Sequence, residues 1–123
     1  AEWTTLEEYL IANGYNYDGT TTGNKIAKAM ASNTGWNSST NTGAIGNDQS
    51  LNNDSGFNAF PEGSRDIDGS FYLEGYYAVF WSSTESNPDS AWHRLLSYDI
   101  SFLGLYIPIS SKQNGHSVRF VRD

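Results

Sequence analysis

Apolar side chains at Leu6, Tyr9 and Leu10 recur at i, i+3 and i+4 and predict a helical face near the N-terminus. Thr4 with Glu7 and Thr5 with Glu8 form two overlapping capping boxes that can satisfy orphan N–H groups at its start. Asn13-Gly14 supplies a left-handed stop. A second short helix is predicted over Lys25–Ala31, where alanine favours helix and Ile26 and Met30 share a core-facing side. Residues 32–56 are dominated by Ser, Thr, Asn, Asp and Gly, with Trp36, Ile45 and Leu51 as spaced apolar anchors, which predicts a long structured loop. From Phe57 onward the pattern changes to short strand-like runs: Phe57–Phe60, Ser70–Tyr72, Tyr76–Trp81, Ala91–Asp99, Phe102–Ile109 and Ser117–Arg122. Two short helices, a long structured loop and then small antiparallel sheets make an α+β order, expected to form one domain over residues 1–123.

In the run Ala91–Asp99, Trp92, Arg94, Leu96 and Tyr98 alternate with His93, Leu95, Ser97 and Asp99, so a strand sends the two sets to opposite faces. Aromatic mass assigns Trp92, Leu96 and Tyr98 to the core and leaves His93, Leu95, Ser97 and Asp99 pointing outward. The wider expected core comprises Trp3, Leu6, Tyr9, Leu10, Phe57, Trp81, Trp92, Leu96, Val118 and Val121.

The following apolar run, with Ile100, Phe102, Leu103, Leu105, Tyr106, Ile107 and Ile109, would ordinarily be a buried strand. Gly104 packs nothing and Pro108 cannot donate to a ladder, so both disfavour a central strand. An exposed aromatic and aliphatic patch is instead expected, with Phe102 and Tyr106 as anchors for a ligand.

Composition narrows the chemistry. Aromatic residues reach 15% while hydrophobic residues total only 37%, so a few large rings carry the burial. The net charge of −7 repels a phosphate backbone and argues against nucleic acid as a partner. The acidity is uneven: residues 1–90 hold twelve acids and three bases, residues 91–123 two acids and four bases. With no cysteine, disulfides, thiolate metal sites and cysteine nucleophiles are excluded. No apolar run approaches the roughly 20 residues of a membrane span, and any export signal is expected outside this sequence.

His93 and His116 stand alone in sequence, too few for a usual transition-metal site, so no metal and no cofactor are expected. Ser82, Ser83 and Ser110 lack a nucleophile elbow and read as turn or cap residues. Asp66 and Asp68 with Glu62 nearby have the chemistry for calcium or an acid–base pair, but Arg65 beside them suggests local ion pairing. Glu85-Ser86-Asn87-Pro88-Asp89 holds the ingredients of a calcium-lectin sugar motif in scrambled order, and reads more simply as an Asn-Pro turn.

Glu2-Trp3-Thr4-Thr5-Leu6, Ser55-Gly56-Phe57-Asn58-Ala59-Phe60-Pro61, Gly69-Ser70-Phe71, Phe80-Trp81-Ser82-Ser83-Thr84-Glu85, Ala91-Trp92-His93-Arg94 and Gly115-His116-Ser117-Val118-Arg119 together resemble the Fibrobacter succinogenes major paralogous domain. The likeness spans nearly the whole chain. It departs in two places: a Trp-x-Val-Pro-like strand ahead of the first helix is absent, which leaves either a missing N-terminal edge strand or a sequence that begins late in the domain, and Phe120 stands where the family often has cysteine. The resemblance implies a C-type-lectin-like fold, exported or surface-bound bacterial proteins, and no known catalytic residues; fold alone does not establish binding. Family members are polar and Asn-rich where this chain has Ser97–Ser111. Every residue type in that span can be reached from an Asn codon by changing only adenines, as a diversity-generating retroelement would do.

These readings converge on a non-enzymatic domain at the cell surface. On a constant lectin-like scaffold it would present a hypervariable face over residues 93–111, with His93, Leu95, Ser97, Asp99, Ile100, Phe102, Leu103, Leu105, Tyr106, Ile107 and Ile109 offered to a protein, another macromolecule or a glycan. The rival expectations are a calcium-assisted carbohydrate-binding module and an accessory domain of a glycan-degrading enzyme.

Overall fold

The structure, a computed structural model, describes residues 2–105 and 110–122. Helix α1 (Glu2–Ala12) and the four-residue α2 (Ala27–Met30) precede a 3-10 turn (Gln49–Leu51) and six strands: β1 (Ser64–Arg65), β2 (Phe71–Tyr72), β3 (Tyr77–Asn87), β4 (Ser90–Ser97), β5 (Gly104–Leu105) and β6 (Ser110–Ser111). Among the described residues, the pairings between these strands are antiparallel. This is the α+β arrangement of short helices and small antiparallel sheets that the pattern predicts.

Helix α1 already includes Thr4 and Thr5, so neither capping box marks its start; it ends before Gly14, which takes φ +78°. The runs Phe57–Phe60 and Ser117–Arg122 do not become strands. Each is held by a single parallel bridge, Ala31 to Ala59 and Phe80 to Ser117. The run ending at Trp81 continues instead to Asn87, and the Asn-Pro turn closes the β3–β4 hairpin with Asn87 opposite Ser90.

Strand β4 is central. It pairs with β3 on one side and with both β5 and β6 on the other. Cross-strand partners share a face, so Ala78, Phe80, Arg94 and Leu96 lie together, as do Val79, Trp81, His93 and Leu95. The first face meets α1. Phe80 sits in an aromatic triangle with Trp3 and Phe57, at centroid distances of 5.5 to 5.9 Å, and the Arg94 guanidinium donates to Glu7 Oε2 at 2.7 Å. Leu10, Ile26, Met30, Trp36, Ile45, Leu96 and Leu103 complete the core. Tyr9, Val118 and Val121, expected in the core, are exposed, and so is Leu51, read as an anchor of the long loop. Tyr9 sits on the solvent side of α1, and Val118 and Val121 belong to the C-terminal segment that never joins the sheet.

The loop over 32–56 is ordered by side chains that substitute for a ladder. Lys28, buried on α2, donates to the carbonyls of Ala44 (3.3 Å), Asp48 (2.9 Å) and Asn47. Burial pulls its pKa below the ordinary 10.5 and Asp48 pushes it back up. Asn33 and Asn52 each donate to two or three further carbonyls, and Gln49 exchanges hydrogen bonds with the backbone of Trp36. Buried backbone groups need such partners wherever no strand supplies them.

Candidate functional site

The stretch from His93 to Leu105 divides into scaffold and surface. His93 (5% exposed), Leu95 (9%), Ser97 (4%) and Leu103 (2%) are buried, contrary to their expected display. The alternation along β4 is present, but both faces of the sheet are covered, so the set opposite the core is no more exposed than the set toward it. Trp92, on the face assigned to the core, is only half-buried, as is Tyr98, which packs against the core and meets Tyr76 edge-on at 5.4 Å. Asp99 and Ile100 are half-buried; the Asp99 carboxylate accepts from the Ser97 hydroxyl at 2.5 Å. Phe102 and Leu105 remain 46% and 55% exposed. Tyr106, Ile107 and Ile109 lie outside the described residues.

Two half-buried side chains, Asn24 and Glu7, hold this surface stretch. Asn24 acts as one rung of a strand: its amide donates to the Leu103 carbonyl at 3.0 Å and its Oδ1 accepts from the Leu103 N–H at 2.9 Å. Glu7 accepts from Asn24 and Arg94 together, linking α1 to both β4 and the loop before β5. Leu105 pairs opposite Arg94, with Trp92 two residues along the same strand face. The backbone is fixed there while the apolar side chains of Phe102 and Leu105 are turned to solvent.

On the opposite face of β4 a second cluster assembles from distant sequence. Ser110 Oγ lies 3.2 Å from His93 Nδ1 and 3.0 Å from His116 Nε2, and Ser64 Oγ lies 2.8 Å from His116 Nδ1. The Trp81 and His116 rings meet tilted by 49°, with centroids 4.4 Å apart. Burial lowers the pKa of His93; burial and then the nearness of His93 push His116 down to about 4. Spacing along the chain carried no sign of this cluster, because the strand pairings bring together residues 64, 93, 110 and 116.

A groove of about 690 Å³ opens between α1 and the C-terminal segment, lined by Trp3, Phe57, Trp81, Phe120 and Arg119 among others. Its floor is structural: the Trp3 indole N–H donates to the Trp81 carbonyl, and the Arg119 guanidinium lies 4.8 Å over the Phe57 ring. The carboxylates weighed for calcium are otherwise engaged. Asp66 and Asp68 accept from the backbone of their own turn, and Glu85 binds Lys112 at 2.5 Å. Among the described residues no group of three or more His, Asp or Glu side chains is placed to hold a metal ion, and no helix is long and apolar enough to cross a membrane.

The tryptophan, glycine and histidine words that build these features lie along one continuous match: the profile of the Fibrobacter succinogenes major domain covers residues 1–122. The chain belongs to that family. No curated protein and no solved structure matches it. In this Fibrobacter succinogenes major domain, the family words Phe80–Glu85 and Ala91–Arg94 are the two arms of the central hairpin, and Gly115–Arg119 is the segment that bridges to β1 and β3. The shared words therefore mark scaffold.

Proposed function

We propose that this chain is a non-catalytic ligand-binding domain of an exported or surface protein, with a C-type-lectin-like fold. Of the hypervariable face expected over about residues 93–111, the exposed Phe102 and Leu105 are the contacts, binding a protein or other macromolecular surface. The observation that carries the reading is the contrast within four residues. Leu103 is 2% exposed and locked to Asn24, while its neighbours Phe102 and Leu105 stand 46% and 55% exposed. Scaffold and contact residues interleave there, as in a surface whose side chains change while its backbone stays. The adenine-accessible residue types of Ser97–Ser111 support diversification by a retroelement. Phe102 and Leu105 make the exposed part apolar, and large apolar anchors dominate protein interfaces.

The experiment is a paired substitution series screened against a panel of purified surface proteins and glycans. Phe102→Asn with Leu105→Asn is expected to leave thermal stability within about 1 kcal/mol, as exposed substitutions do, and to weaken a panel interaction at least about tenfold. Leu103→Asn, one position away, is expected to destabilise the fold by about 3 kcal/mol or more, since it buries an amide in the core. Unchanged binding by the double variant would rule out this face.

A further inference from the structure

We infer that the cleft between the loop at residues 38–41 and the two residues that follow β4 is a calcium-independent binding site for a neutral sugar. The inference stands whether or not the face at Phe102 and Leu105 binds a ligand. The cleft, of about 360 Å³, is lined by Ser38, Ser39, Thr40, Asn41, Tyr98 and Asp99. That volume falls at the small end of ligand sites, which suits a sugar unit and not a folded surface.

Both walls are held in place by the protein itself. The Asn41 amide donates to the Asp99 carbonyl at 2.9 Å and so joins them. Behind this tie the Ser39 N–H donates to the Gly46 carbonyl at 3.2 Å, and the Gly46 N–H to the Tyr98 carbonyl at 2.7 Å, which bonds one glycine to each wall. Residue 46 has no room for a side chain, because a Cβ there would collide with the Asn37 carbonyl oxygen. Tyr98 is fixed further: its N–H donates to the Tyr76 carbonyl at 3.0 Å, and its ring meets Tyr76 edge-on. Walls already fixed lose little freedom when a ligand arrives.

The polar groups that the walls leave over set the class of ligand. Asn41 spends one amide hydrogen on Asp99, Ser39 Oγ accepts from the Asn41 N–H, and one carboxylate oxygen of Asp99 accepts from Ser97. The second amide hydrogen and Oδ1 of Asn41, the hydroxyl hydrogen of Ser39 and the other oxygen of Asp99 are left for a ligand, beside the hydroxyls of Ser38 and Thr40. Hydroxyls and an amide both donate and accept, as the hydroxyls of a sugar do. Tyr98 adds apolar surface for the C–H side of a pyranose. An apolar ligand would strand these groups without partners. An anion is disfavoured, since Asp99 lines the cleft, no lysine or arginine does, and the chain carries a charge of −7. A single carboxylate is also far from the roughly six to eight oxygens that calcium takes.

NMR titration of the intact domain in chelator tests the site, with the methyl glycosides of glucose, galactose, mannose and N-acetylglucosamine as probes. At least one is expected to move the amide signals of Ser38, Asn41, Tyr98 and Asp99, with a dissociation constant on the order of 1 mM for so few atoms. Asp99→Asn keeps the shape and an acceptor for Ser97, and is expected to weaken that binding by about tenfold or more. Thr40→Ala, at an exposed position, is expected to weaken it by about threefold. The methyl glucuronide, which replaces one hydroxymethyl group with a carboxylate, is expected to bind more weakly than the glucoside. No shift with any of the four probes, shifts centred elsewhere, unchanged binding by both variants, or tighter binding of the glucuronide would each overturn the site.

Discussion

Lys28→Met is expected to lower stability by about 3–4 kcal/mol, one of the two largest effects of a single substitution in this domain. Methionine keeps the volume and the apolar stem, so packing in α2 is little changed. What is lost is the ammonium that the carbonyls of Ala44, Asn47 and Asp48 surround. Hydrogen bonds from a charged donor contribute about 1.5–3 kcal/mol each at most, and buried carbonyls stripped of that donor add a desolvation penalty. The Asp48 backbone, at φ +51°, depends on this restraint because a non-glycine residue holds that conformation only when its surroundings impose it. Thermal unfolding should shift down by about 10–15 °C for a chain of this size, and Lys28→Arg should recover little, since a planar fork cannot converge on three carbonyls. A melting temperature within a few degrees of the unsubstituted protein would show that the loop is held by its apolar anchors alone.

The second large effect is expected at Phe80→Ala, at about 3–5 kcal/mol. Phe80 is buried at the join of α1, β3 and the loop around Phe57, and its ring meets both Trp3 and Phe57. Removing it leaves a cavity that neither neighbour can fill without giving up a partner: Trp3 is tethered to the Trp81 carbonyl, and Phe57 lies under Arg119. Phe80→Leu should cost less than half as much, because it retains most of the volume. Chemical denaturation with an unchanged slope measures both; equal losses for the two variants would mean that the ring geometry, not the volume, is what stabilises the junction.

The regular parts of this fold were legible because their periodicity is local. Leu6 and Leu10 on α1, Ile26 and Met30 around α2, and the alternation of β4 can all be read from spacing alone. The phase of that alternation could not. Deciding that His93, Leu95 and Ser97 were outward assumed a sheet with one wet side, and the residues that cover it, Ser64 and His116, lie 29 positions before His93 and 23 after it. The same limit applies to Leu103. Gly104 makes its run look unlike a core strand, yet Asn24 supplies from a side chain the two hydrogen bonds that a neighbouring strand would have given. The exposure of Phe102 and Leu105 was legible, because a Gly-containing run with a following proline makes a poor central strand.

The amides that order the loop over 32–56 also set how this protein would age in storage. Asn52 is buried and donates through Nδ2 to the carbonyls of Ser32 and Ile45, at 3.0 and 3.2 Å. Hydrolysis of that one amide to a carboxylate replaces the donor with an oxygen facing two oxygens, and adds a charge at a buried position. Slow opening of the loop would expose Asn52 to hydrolysis, and hydrolysis would then prevent the loop from closing again. Chemical damage at this position would therefore accumulate in one direction, as a fraction of molecules with an intact sheet and a permanently open loop.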